Sequence, residues 1–162
     1  MQLPEGVEWS IHCCWLLALL PPGGALSARR LAEFYGLPEA YLSKLLKMLV
    51  RAGLLSASSG PRGGFRLARD PGAVTVLDIV GAVEGTAPVF RCMEIRQRGP
   101  APLPRAECRR PCGIASVMHE AERAWRDRLA ATSVADLVRE ASNGSVARTR
   151  RWLESLRTAS RA

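Results

Sequence analysis

The sequence predicts a mainly α-helical fold with a small β-hairpin wing: a winged helix-turn-helix followed by a long helix. Three observations carry this. Two short amphipathic segments, 27–35 and 38–51, are separated by a Gly-containing turn, and the second is basic. Two extended runs follow at once around a Gly/Pro-rich loop. Beyond residue 113, apolar residues recur at helical spacing as far as about residue 131.

Composition bounds the reading. A chain of 162 residues that is 48% hydrophobic can bury a packed core. The longest apolar run, Ile11 to Leu20, stops at Pro21-Pro22 and is too short to span a bilayer, which takes about 20 residues. Glu5 and Glu8 precede that run, and no Lys or Arg occurs before Arg29, so it is a poor export signal and the cytoplasm is expected. In a reducing compartment, 5 cysteines point to metal, redox or catalytic chemistry rather than to a disulfide framework.

The first helix, Val7 to Leu20, is apolar nearly all round and is read as core, ending at Pro21-Pro22-Gly23-Gly24. Ser27 caps a second helix through Tyr35, with Leu31 and Phe34 inward, and Gly36 ends it in a conformation of positive φ. Pro38 opens a third helix whose stripe is Tyr41, Leu42, Leu45, Leu46, Leu49 and Val50, while Ser43, Lys44, Lys47 and Arg51 lie toward another face. Strands at 54–57 and 65–68 form the wing, with Arg62 at its tip. Val74 to Val83 forms a short helix, whereas 86–112, with five prolines, is mainly loop. The long helix carries Ile114, Val117, Met118, Ala121, Trp125 and Leu129 on one side, a stripe that needs a partner. Ser133 to Ala141 is helical again, and an Arg-rich, frayed helical tail follows Asn143-Gly144. The domains expected are 1–85, the winged helix-turn-helix; 86–112, a Cys-containing loop; 113–142, the long and short helices; and 143–162, a basic tail.

Charge is uneven. The net formal charge is +8, with +5 across 27–70 and +4 across 143–162. Such blocks suit nucleic acid, although basic surface serves solubility or an acidic partner equally well. A helix fits the DNA major groove, where Ser43 and Lys44 are placed to reach base edges. Arg62, among glycines, could enter a minor groove. Each feature alone is an ordinary solvated helix face or hairpin turn; together and in this order they favour double-stranded DNA.

Tyr41-Leu42-Ser43-Lys44-Leu45-Leu46-Lys47-Met48-Leu49, then Ala52-Gly53-Leu54-Leu55, then Gly60-Pro61-Arg62-Gly63-Gly64-Phe65-Arg66-Leu67-Ala68, resemble the signature of Rrf2-type transcriptional regulators. The resemblance covers roughly residues 1–140. It implies a homodimer with paired winged heads and long dimerisation helices, and in many members an iron–sulfur cluster held by a Cys-rich loop before that helix. It also implies operator reading by the helix around Tyr41 to Lys47 and by the wing around Pro61-Arg62. The tail lies outside it and is assigned only nonspecific phosphate affinity.

Cys92, Cys108 and Cys112 lie in or beside the proline-rich loop, with Arg105, Arg109 and Arg110 around the last two. Cys108-x3-Cys112 is short enough for one iron, and nearby Arg favours thiolates. On spacing alone such a loop could also hold zinc or carry idle thiols. Three thiols are one short of four ligands. Glu8 and His12 stand four apart on the first helix, either as a local Glu–His hydrogen bond or as two further ligands. In some members of the family the resemblance points to, the other subunit's first helix supplies the non-Cys ligand. The preferred site is therefore a [2Fe–2S] cluster with Cys108 and Cys112 on one iron and the partner subunit's Glu8 and His12 on the other. Cys92 is the doubtful alternative ligand, fifteen residues separating it from Cys108. Cys13 and Cys14 read as small core residues. Trp9 is core packing or a gate over the cluster.

Two thiolates, one carboxylate and one imidazole leave the cluster less negative than four thiolates do, which favours electron uptake. A sensor whose operator affinity follows one-electron oxidation and reduction is expected. Nitric-oxide or cluster-status sensing on the same fold, or a cluster-free or zinc-stabilised winged helix, are the alternatives. No Cys–His pairing or substrate pocket is legible, so the chain is read as a regulator rather than a thiol enzyme.

Overall fold

A computed structural model of the chain describes residues 3–60 and 63–159. Its elements in order are α1 (Glu5–Ala18), α2 (Ala28–Tyr35), α3 (Glu39–Arg51), β1 (Leu55–Ser58), β2 (Gly64–Leu67), α4 (Val76–Glu84), α5 (Gly113–Ala130), α6 (Val134–Glu140) and α7 (Asn143–Ala159). Pro61 and Arg62, the expected wing tip, lie outside the described residues. The chain forms two compact units, one of residues up to 85 together with those from 130 on, the other Thr86–Leu129.

The first unit is built around α1. Pro4 takes the N-cap position, so the helix starts two residues before the expected Val7. Cys13, Cys14, Leu16 and Leu17 are buried against Leu42, Leu45, Leu46 and Leu49 of α3 and against Leu31 of α2. Burying each such leucine stabilises the fold by about 1.5–3 kcal/mol. Ser27 Oγ accepts from the Arg30 N–H at 3.2 Å and opens α2, and Gly36 closes it in the left-handed region at φ 66°.

The wing pairs β1 with β2 antiparallel, in register Leu55↔Leu67 to Ser58↔Gly64. It begins one residue later than the apolar run suggests because the Leu54 N–H closes α3 on the Leu49 carbonyl at 3.0 Å. An added bridge joins Leu26 to Phe65: Phe65 N–H donates to the Leu26 carbonyl at 2.7 Å, and Leu26 N–H returns the bond at 3.0 Å. The hairpin is thus tied to the residue just before the cap of α2. Thr75 and Ser133 cap α4 and α6 with reciprocal capping boxes and face each other in a second bridge.

The C-terminal segment corrects the expectation of a frayed basic tail. It is a 17-residue helix whose Thr149 and Leu153 are buried, and the Trp152 ring packs at a tilt against Phe34 of α2 with centroids 4.6 Å apart. Thr149, Leu153 and Leu156, with Trp152, fall on one face of a helix that otherwise reads as a run of arginines.

In the second unit, α5 buries Ala115 alone, while Ile114 and Val117 are 74% and 63% exposed and Met118 is exposed beside them. Of the stripe expected from periodicity, the N-terminal part is exposed, whereas Trp125 and Leu129 are half-buried. Among the described residues no helix is long and apolar enough to cross a membrane.

Candidate nucleic-acid interface and metal donors

The helix-turn-helix places α3 with one side in the core and the other in solvent. Leu42, Leu45, Leu46 and Leu49 anchor it, so the intervening positions are forced outward by the helical period. Tyr41, Lys44, Lys47 and Arg51 are exposed and Ser43 is half-buried. Tyr41, Lys44, Lys47 and Arg51 follow at spacings of three and four, which aligns them as one basic stripe with an aromatic residue at its N-terminal end. In the wing, Arg66 Nε donates to Ser56 Oγ across the hairpin at 3.1 Å and stays exposed.

Trp9 of α1 packs edge-on against Tyr41, ring centroids 5.5 Å apart. One turn of α1 thus carries Glu8, Trp9 and His12, and its central member touches the start of α3. His12 also leans on the ring of Tyr35 at 5.4 Å, whose hydroxyl donates to the His12 carbonyl at 2.8 Å and ties α2 to α1.

The expected metal donors occur as two pairs. Glu8 and His12 sit on the same side of α1, with Oε1 and Nε2 4.0 Å apart and the side chains 71% and 55% exposed. That separation is an i,i+4 ion-pair contact when His12 is protonated and is longer than a hydrogen bond. Cys108 and Cys112 are free thiols, both half-buried, at the C-terminal end of the loop. Cys108 lies in a short 3₁₀ turn, Glu107–Arg109; the Cys112 Sγ accepts the Ala115 N–H at 3.4 Å as α5 begins. Among the described residues no three His, Cys, Asp or Glu side chains form a metal-binding group.

Of the other cysteines, Cys13 and Cys14 are buried in α1, and burial pushes their thiols up to about 12. They stay protonated and act as small core residues. Cys92 is exposed and lines a different feature, a cleft of about 560 Å³ with Phe90, His119, Glu122 and Arg126. Glu122 fixes that cleft by accepting the Val89 N–H at 3.2 Å and the Arg126 guanidinium at 3.0 Å.

The sequence reading missed one group in the cysteine loop. Glu94 and Arg96 form a two-bonded ion pair, Nε–Oε1 at 2.5 Å and Nη2–Oε2 at 2.8 Å, and the same Nη2 donates to the Arg110 carbonyl at 3.2 Å. The available signal was a Glu-x-Arg in a loop that already holds the thiols.

Comparison with known proteins agrees with this architecture. A family model described as Rrf2, iron-dependent transcriptional regulator, matches residues 3–140. The HTH-type transcriptional regulator NsrR of Shouchella clausii is 29% identical over 138 residues, covering 85% of this chain and 89% of the relative. Two solved structures share the fold: CymR, the global cysteine regulator of B. subtilis, with a TM-score of 0.72, 22% identity and coverage of 88% and 99% of the two chains, and T. potens IscR, with 0.68, 24% identity and coverage of 89% and 90%. The match stops before α7, which lies beyond residue 140. On the extent of that match and the winged helix-turn-helix beneath it, the chain belongs to the Rrf2 family and is a DNA-binding transcriptional regulator.

Proposed function

We propose that the protein is a homodimeric redox sensor whose operator affinity is set by a [2Fe–2S] cluster shared between subunits, Cys108 and Cys112 of one meeting Glu8 and His12 of the other. The observation that carries this reading is the division of the donors into two pairs, Glu8 with His12 exposed on one side of α1 and Cys108 with Cys112 half-buried at the end of the loop. The donor chemistry fits: thiolates suit iron–sulfur binding, and imidazole with carboxylate is compatible with the second iron. Exposed Ile114, Val117 and Met118 supply the apolar face that a second copy would cover. When bound, such a cluster accepts and releases one electron.

What the chain itself contributes is a short lever. Glu8 and His12 flank Trp9, and Trp9 rests on Tyr41 at the start of the basic stripe. Any tightening of the ligand pair tilts this turn of α1 and moves the ring contact that positions α3. In this reading Trp9 is the gating residue, while Tyr41, Ser43, Lys44 and Lys47, with Pro61 and Arg62 of the wing, contact the operator. Lys44 and Ser43 read base edges and the remaining cations hold phosphates.

The test is equilibrium titration of a duplex that the protein itself selects from a random pool, using oxidised, reduced and iron-free dimers. Oxidised and reduced forms are expected to differ about a hundredfold in affinity, equivalent to about 2.7 kcal/mol. Trp9→Ala retains iron and loses the difference. Equal occupancy by all three forms rejects the mechanism.

Lys44→Ala carries a separate expectation. Removing a base-reading cation costs about 1–3 kcal/mol on the selected duplex and relaxes preference at one position, which competition with single-base variants will show. Uniform weakening on every duplex would make Lys44 a phosphate contact instead.

A further inference from the structure

The loop that carries the cysteines contains a charge device with an unusual backbone. Glu94 has φ 46° and is the one non-glycine residue with positive φ among the described residues, a conformation that L side chains rarely adopt. The turn it makes brings its carboxylate back onto Arg96 two residues later. Arg96 is held at both ends, its carbonyl accepting the Leu103 N–H at 2.8 Å and its Nη2 donating to the Arg110 carbonyl at 3.2 Å. Arg110 is two residues from Cys108 and two from Cys112. The guanidinium is therefore fixed, half-buried, on the peptide midway between the two thiols, while the other arginines of this stretch, Arg105, Arg109 and Arg110, are exposed. Its proton is held more tightly than usual, chiefly by the bond to Glu94, which outweighs the opposing effect of desolvation. The pair is neutral as a whole but oriented, with its cationic end toward the cysteine segment.

We infer that Arg96 is the charge-positioning residue of the Cys108–Cys112 pair: aimed by Glu94, its guanidinium faces the negative charge that thiolate-bound iron brings to this segment and sets the potential at which the site takes up an electron. This rests on the cluster reading above. Uptake of one electron from an external donor adds one negative charge beside a fixed cation, so Arg96 favours the reduced form. Glu94 restrains the guanidinium from swinging into solvent, which gives the strained turn a purpose.

The experiment compares anaerobically reconstituted wild type, Arg96→Gln and Arg96→Lys for iron, acid-labile sulfide and midpoint potential in an optical titration with dithionite and mediators. Arg96→Gln is expected to take up iron and to show a midpoint lower by about 59 mV, a tenfold fall in the reduced-to-oxidised ratio for one electron. Arg96→Lys keeps the charge and is expected to recover at least half of that shift. A wild-type midpoint in Arg96→Gln, or one in Arg96→Lys as low as in Arg96→Gln, overturns the inference while leaving the cluster reading standing. If Arg96→Gln takes up no iron, Arg96→Lys decides: a loaded site near the wild-type potential supports the inference, and a shifted potential or loss of iron there too overturns it. Wild type that takes up no iron removes the cluster reading and this inference together.

Discussion

Gly64→Ala is expected to destabilise the protein by about 3–5 kcal/mol, a large loss for a single added methyl. Gly64 stands at φ 150°, where the added Cβ would lie 2.4 Å from the Leu26 carbonyl carbon, 2.5 Å from its oxygen and 2.8 Å from the Ser27 nitrogen. All three atoms are backbone, so no side chain can turn aside to make room. The Leu26–Ser27 backbone must move away from β2, and the reciprocal Leu26–Phe65 bonds break with it. Each lost bond costs about 1 kcal/mol and the disallowed φ adds about 1–3 kcal/mol. Ser27 follows Leu26 directly, so the cap of α2 is displaced by the same movement. Against a stability of about 5–15 kcal/mol for a domain, this is a large fraction. Urea unfolding followed by circular dichroism measures it. Gly36→Ala is the control: φ there is 66° with no atom within 4 Å of the added Cβ, so it carries backbone strain without a clash and should cost only about 1 kcal/mol. A Gly64→Ala midpoint within that smaller range would show that the wing is not pinned through Leu26.

Much of the winged head was legible because its signals are local. Ser27 and Gly36 bracket α2 by cap chemistry, and the Leu42, Leu45, Leu46 and Leu49 spacing dictates which face of α3 is buried and hence which residues look outward. The Leu26–Phe65 bridge was not legible, since a single residue pair separated by a helix-turn-helix leaves no periodic trace. Nor was the docking of α7: Trp152 and Leu153 are sparse among arginines, and only the partner surface at Phe34 reveals that they are anchors. At the candidate site, residue types and spacings pointed to Cys108, Cys112, Glu8 and His12, yet the Arg96 contact to the Arg110 carbonyl depends on a backbone turn at Glu94 that no propensity would assign to glutamate. Sequence patterns report which side chains share a face; they do not report which backbone carbonyl a long side chain will reach.

A mixed dimer tests the proposed shared site most directly. One chain carries Glu8→Ala and His12→Ala, the other Cys108→Ala and Cys112→Ala, and two different affinity tags isolate the heterodimer after co-expression. Each homodimer lacks half of every site and is expected to hold essentially no iron, because two ligands cannot replace the four that a cluster requires. In the heterodimer the intact cysteines of the first chain face the intact Glu8 and His12 of the second, so one complete site forms while the opposite site loses all its donors. Iron and acid-labile sulfide are therefore expected at half the wild-type level per dimer. A site assembled within a single chain gives a different result, since neither chain then owns a full set and the heterodimer is as empty as the homodimers. The substitutions are structurally mild: Glu8 and His12 are exposed on α1 and 4.0 Å apart, and Cys108 and Cys112 are half-buried thiols at a loop end, of which Cys112 gives up one weak bond from the Ala115 N–H. Loss of iron is thus separable from loss of folding by the circular dichroism of each dimer. Adding Cys92→Ala to the first chain sharpens the result, because Cys92 lies in the Phe90–His119 cleft and its removal is expected to leave the half-occupancy unchanged. A fall to zero on that addition would make Cys92 a ligand and require one of the four assigned donors to give way.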